Sequence, residues 1–228
     1  MVRAVARTGE AGTDEKTSGR GSAREALLVA AADLMNERDT LDVSLSEIAA
    51  RAQVNSALVK YYFGSKSGLM LALIERAVLD QVSQLEHIVD GSKSVIEKLR
   101  IHTAGLINNY FRNRYLNKLL FALLRDSTPQ DAQDISDRLV KPAADAQRRI
   151  LEQGVREGIF REVDPMLFYF TIIGACDQIF TASFALRSVF NYPGLDEPLK
   201  KRFIDHTVSM LLQGIMATPA TAPSGHSR

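Results

Sequence analysis

The stretch Ser44-Leu-Ser-Glu-Ile-Ala-Ala-Arg-Ala-Gln-Val-Asn-Ser-Ala-Leu-Val-Lys-Tyr-Tyr-Phe63 decides how this chain is read. Ser44 and Glu47 form a capping box, a serine hydroxyl taking an orphan amide and a glutamate three residues on reaching back, so a helix starts at Leu45. Its inward positions are Leu45, Ile48, Ala49 and Ala52, with small alanines where another helix must approach closely. A short turn through Gln53 and Val54 follows, and Asn55 caps a second helix of about two turns. Two short helices on a tight connection, the second free to enter a major groove, are the grammar of a helix-turn-helix.

On that second helix, Leu58, Val59 and Phe63 form the inward set, while Ala57, Lys60 and Tyr61 are three and four apart and share another face. Ala57 lets the helix come close and can touch a thymine methyl. Lys60 reaches a phosphate or a guanine edge, and the Tyr61 phenol offers a donor to a phosphate oxygen. Ser44 and Lys66 stand at the starts of flanking helices, where backbone amides and side chains hold phosphate together. The competing reading of the same face is a helical protein-interaction module without DNA binding. Salt separates the two, because phosphate binding weakens steeply as salt rises.

Outward from this segment nearly everything reads as helix, and alternating β-branched runs between tight turns are missing. The pattern predicts an all-α protein of about nine helices, at 23–38, 45–52, 56–63, 66–88, 94–111, 114–126, 129–157, 165–189 and 197–216. Further starts are marked by capping boxes at Ser22–Glu25 and Ser94–Glu97, and by Ser65. Thr128-Pro129, Asp164-Pro165 and Asp196-Glu-Pro198 place a cap ahead of a proline, which a first turn tolerates. Pro142 should kink or split the seventh helix. Residues 1–21 read as a flexible arm, 22–66 as a helix-turn-helix domain, 67–216 as a helical ligand-binding and dimerisation domain, and 217–228 as a disordered tail.

Composition sets the class. With 46% hydrophobic and 24% charged residues in 228, the chain has the balance of a soluble globular protein. The densest apolar run, Met166–Cys176, stops short of the ~20 residues of a membrane helix. No apolar segment of the secretory kind follows the N-terminus. A single cysteine, Cys176, fits a reducing cytoplasm. The formal charge of +1 leaves nucleic-acid binding to local basic faces. Neither a catalytic site, a cofactor nor a metal is expected. The four histidines stand far apart, Cys176 reads as core, and Gly64-Ser-Lys-Ser-Gly68 is too short for a phosphate loop.

At Leu45-x-x-Ile48-Ala49-x-x-Ala52-x-Val54 and Tyr61-Tyr62-Phe63-Gly64-Ser65-Lys66-x-x-Leu69, the chain resembles the DNA-binding domain of the tetracycline-repressor (TetR) family. The preceding helix, with Ala31-Ala32 and Leu34, joins the match over about residues 22–70. The resemblance implies an all-α homodimeric transcription regulator, most often a repressor, with a three-helix head and a body holding an inducer pocket. It puts the recognition helix on Ser56 to Phe63, its cap on Asn55 and the phosphate-binding lysine on Lys66. Lys60 stands where many members carry an aromatic, and Tyr62 where a histidine is common. Tyr62 therefore reads either as a DNA contact or as a core aromatic with a bonded hydroxyl. The resemblance also implies a dimer through the helices at 165–189 and 197–216, a palindromic double-stranded operator, and release by a small molecule. Helix four, starting at Lys66, would be the lever. In the body, Asp177 on an apolar helix is either in an interhelical hydrogen bond, at a dimer rim, or a pocket wall. Asn109, Tyr110, Phe111 and Phe121 are candidates for the same pocket.

Overall fold

The computed structural model describes residues 14–217, with side chains from residue 23. Its elements are α1 (Asp14–Arg38), α2 (Leu45–Arg51), α3 (Ala57–Phe63), α4 (Lys66–Asp90), α5 (Val95–Arg112), α6 (Leu116–Asp126) and α7 (Pro129–Ile135). A π-helical turn (Ser136–Val140), α8 (Lys141–Arg156), α9 (Pro165–Thr181), α10 (Phe184–Ser188) and α11 (Glu197–Ile215) follow. The described residues contain no strand, only an isolated bridge between Phe160 and Met216. The fold is all-α, as the sequence predicts. The chain divides into two units, the first ending at Ile74 and the second beginning at Glu75.

In the first unit α1 packs on α2 and α3. Its core joins Leu27, Leu28, Ala31, Leu34 and Met35 of α1 to Val43, Ile48, Ala49, Val59 and Leu69, all buried. Arg51 grips Glu37 with two hydrogen bonds of 2.8 and 2.7 Å, and Arg38 donates to Glu47 at 2.7 Å. These exposed pairs fix the setting of α2 on α1 more than they stabilise it. The turn after α2 is a Schellman motif: the amides of Gln53 and Val54 bond back to the carbonyls of Ala50 and Ala49. Gln53 occupies the left-handed position at φ 57°.

In the second unit α5 is central, packing against α8, α9 and α11. Leu99, Thr103, Leu106, Ile107 and Tyr110 are buried along it. Phe180 of α9 is the hub of an aromatic group with Tyr110, Phe111 and Phe203, at ring separations of 6.3–6.4 Å. Lys98 is buried as well, its ammonium donating to the Val89 carbonyl at 2.7 Å and to Gln153 Oε1 at 2.9 Å.

Several expectations are corrected. Helix α1 starts at Asp14, so Ser22 lies inside a helix and not at its start, and residues 14–21 are helical rather than part of the arm. A helix running through Ser22 already gives the neighbouring amides backbone partners, so the cap has nothing to satisfy. The rest of the arm, 1–13, and the tail from 218 lie outside the described residues. The helix expected over 165–189 breaks at Ala182, which leaves helical backbone at φ −105° and ψ 35°. The one over 129–157 is split by the π-helical turn directly before Pro142, as the proline requires. Along α9 Met166 and Phe170 are exposed, and the buried face is Phe168, Ile172, Cys176 and Phe180. A helix apolar on all sides does not announce which side is the core.

The Schellman turn generates a prediction. A glutamine in the left-handed region carries a steric cost that glycine avoids, partly offset by glycine's extra freedom when unfolded. Gln53→Gly should raise stability by about 0.5–1 kcal/mol. A urea midpoint of the first unit that is unchanged or lower would contradict this.

Candidate nucleic-acid interface and buried cavity

The helix-turn-helix is assembled by local hydrogen bonds. Ser44 caps α2 as expected: its hydroxyl accepts from the Glu47 amide at 3.2 Å, and its own amide donates to Glu47 Oε2 at 2.9 Å. Bonds from Arg38 first, then from the Ser44 amide and hydroxyl, hold the Glu47 carboxyl down to about 2. Asn55 Oδ1 accepts from the Ala57 amide at 2.8 Å and opens α3, with Ser56 exposed beside it. Val59 is the buried anchor of α3, flanked by half-buried Leu58 and Phe63. The Arg24 guanidinium of α1 lies over the Phe63 ring at 5.3 Å, tying the two helices together.

The opposite face of α3 is open. Ala57, Lys60 and Tyr61 are exposed, Tyr61 at 65%. An exposed tyrosine and lysine one residue apart make a surface with both a cation and a hydroxyl donor. Tyr62 is half-buried and sits edge-on between Tyr61 and Phe63, at ring separations of 5.0 and 6.3 Å. After α3 the chain turns at Gly64, at φ 72°, and Ser65 caps α4 through a 3.0 Å bond from the Gly68 amide. A side chain at Gly68 would meet the Phe63 carbonyl oxygen at 2.1 Å, so this junction closes only on glycine. Lys66, exposed on the first turn of α4, is positioned by this junction.

The second unit encloses a cavity of about 260 Å³ among α4, α5, α6, the π-helical turn, α8 and α9. Asn109, Tyr110 and Phe121 line it. Asn109 is also a brace: its amide donates to the Ala77 carbonyl at 3.1 Å and to Gln81 Oε1 at 2.6 Å. Asp177 and Phe111 are set apart from the cavity. The Asp177 carboxylate accepts from the Thr181 hydroxyl one turn on, at 2.7 Å. Phe111 packs on Phe180, with the Lys200 ammonium 4.5 Å from its ring centre. Burial raises the Tyr110 hydroxyl pKa, with nearby Asp177 adding to it, so the phenol stays protonated.

Sequence reasoning missed His102, Gln81 and Gln147. His102 is buried, lines the cavity and lies 2.8 Å from Gln147 Nε2; burial alone lowers its pKa to about 4, so it is neutral at pH 7. The available signal was the pair His102 and Asn109, seven apart on the apolar stripe of α5. Cys176 is core, and burial pushes its thiol up to about 12, which leaves it unreactive. Among the described residues no cluster of His, Cys, Asp and Glu could hold a metal, and no helix is long and apolar enough to cross a membrane.

A three-helix unit presenting α3, joined to a helical unit with its own cavity, defines a helix-turn-helix transcription regulator. Residues 27–73 match the family model described as bacterial regulatory proteins of the tetR family, and 92–221 match the tetracyclin repressor-like C-terminal domain. The chain belongs to the TetR family of transcription regulators. It is similar to the HTH-type transcriptional regulator BetI of Rhizobium meliloti, at 47% identity over 51 residues, 22% of this chain and only 25% of that one. It is also similar to the HTH-type transcriptional repressor Rv3405c of Mycobacterium tuberculosis, at 39% identity over 131 residues, 54% of this chain and 68% of the relative. The fold is shared with the transcriptional regulator FadR of Bacillus subtilis, solved with stearoyl-CoA. That structure superposes with a TM-score of 0.64 at 18% identity, over 84% of this chain and 98% of that one.

The capping box yields a pH prediction. Glu47 has a folded pKa below its ordinary value of 4.5, so its stabilisation is complete above that value and is lost as pH falls toward about 2. Glu47→Gln should therefore cost stability at pH 7 and progressively less below pH 4.5. Unfolding midpoints that differ equally at pH 7 and at pH 2.5 would refute the assignment.

Proposed function

We propose that this protein is a dimeric transcription repressor that holds a palindromic operator through two copies of α3 and releases it when a small molecule fills the cavity. The observation that carries this is the exposed face of Ala57, Lys60 and Tyr61 on a helix anchored by Val59. In this reading residues 22–66 are the DNA-binding domain and 67–216 the ligand-binding and dimerisation domain. Ala57 and Lys60 meet base edges or phosphate, Tyr61 and Tyr62 bond the backbone, and Ser44, Asn55, Ser56 and Lys66 hold phosphates at helix starts. A two-fold dimer sets the two α3 helices about 34–36 Å apart, or a multiple of that, which is why the operator is a palindrome.

The dimer partner is a second copy against α9 and α11. Met166, Leu167 and Phe170 of α9 and Met210 of α11 are at least 60% exposed. Such an apolar face is costly in water and fits an obligate partner. Helix α4 carries Lys66 on its first turn and Gln81 beside the cavity. A ligand that binds better when the two heads are wrongly spaced shifts the population away from the DNA-bound form. The protein acts in the cytoplasm, where its operator lies, and needs no cofactor.

Two measurements test this. Binding to duplex DNA should fall linearly in log affinity with log salt, and Lys60→Ala and Lys66→Ala should each reduce that slope by about one. A slope near zero in the wild type would support protein docking instead. Leu167→Glu should weaken the dimer by about 100-fold or more, since it buries an unpaired charge. Sedimentation showing an unchanged dimer would contradict the interface.

A further inference from the structure

We infer that the cavity takes an uncharged, largely apolar molecule bearing one amide or hydroxyl group, and discriminates against carboxylates and ammonium ions of the same size. This rests on the reading of the cavity as the ligand site. No Asp, Glu, Lys or Arg is among the residues that line it. The one buried cation on the central helix, Lys98, is spent on the Val89 carbonyl and Gln153. His102 is neutral, and burial keeps Tyr110 and Tyr169 protonated. An ion entering here would lose its hydration and meet no counter-charge.

The polar groups that do face the cavity are neutral, and one of them lacks a partner. Gln81 is held by its Oε1, which accepts from Asn109, while its Nε2 is buried with no hydrogen-bond partner. That amide lies beside Gly105 of α5, where an added side-chain carbon would sit 3.9 Å from it. Gly105 falls between His102 and Asn109, two of the polar residues of the α5 cavity face. Gln147, which bonds His102, likewise leaves Oε1 without a partner. Buried unpaired donors cost free energy, so a ligand oxygen that accepts from Gln81 Nε2 is favoured over a purely apolar occupant. At about 260 Å³ the cavity is near the lower end of the ~300–1,000 Å³ of small-molecule sites, so a probe with one short alkyl chain suits it. Phe121 of α6, exposed at 61% yet lining the cavity, marks its mouth.

The test is calorimetric titration of the full chain with octanamide, octanoate and octylammonium at pH 7. Octanamide should bind at least about tenfold more tightly than either ion, and Gln81→Leu should weaken octanamide about fivefold. Octanoate or octylammonium binding as tightly as octanamide would overturn the inference, as would binding by none of the three. Unchanged octanamide affinity in a folded Gln81→Leu variant would also overturn it. If that variant does not fold, the wild-type comparison of the three probes decides alone. DNA affinity is read separately: octanamide that binds with this selectivity but leaves duplex binding unchanged supports the ligand class and contradicts the switch.

Discussion

The geometry of the exposed face of α3, the proposed reading face, depends on one turn, the Schellman closure at Gln53 and Val54. Two amide-to-carbonyl bonds end α2 and reverse the chain within a few residues, and Asn55 at once caps the next helix. Because the turn is this short, Val59 is carried into the core that also buries Ile48 and Ala49, and the face three and four residues round is forced outward. Lys60 and Tyr61 are exposed as a consequence of that packing. The same logic governs the junction after α3, where Gly64 and Gly68 let the chain fold back over the Phe63 carbonyl and fix the start of α4 at Lys66.

The second unit solves a different problem. Helix α5 has to bury polar side chains in order to hold its neighbours, and it does so with neutral groups or with an ammonium that makes two hydrogen bonds. Asn109 reaches the Ala77 carbonyl and Gln81 on α4, His102 meets Gln147 on α8, and Lys98 closes on the last turn of α4 at Val89. These bonds brace the cavity wall and at the same time give it its chemical character. A pocket whose framework is built from amides and a neutral imidazole selects for neutral polarity.

Much of this was legible in the sequence because caps are local. Ser44, Ser94, Thr128, Asp164 and Asp196 each satisfy an amide two or three residues on, and each stands where the pattern places it. Ser22 shows the limit: a capping box permits a helix start but does not forbid the helix from continuing upstream. The break at Ala182 has neither proline nor glycine to announce it, and the chain beyond is held by contacts such as Arg187 to the Pro193 carbonyl. The cavity was half legible. Asn109, Tyr110 and Phe121 could be named from one helix face and its neighbour, but Gln81 on the cavity wall and Gln147 behind His102 come from helices distant in sequence, and only packing brings them together. For Asp177 the apolar surroundings leave several roles open, and in the structure Thr181, one helical turn on, is its hydrogen-bond partner.

The central claim is that α3 reads DNA sequence through Lys60 and Tyr61. It is tested most directly by selecting duplexes from a random pool at fixed moderate salt, with wild type and the Lys60→Ala/Tyr61→Ala double variant side by side. Wild type should enrich a palindrome with half-sites about one helical turn apart, or a multiple of it, and the double variant should not. A pool left unenriched by wild type would contradict sequence-specific binding, and equal enrichment by both proteins would show that the reading face lies elsewhere.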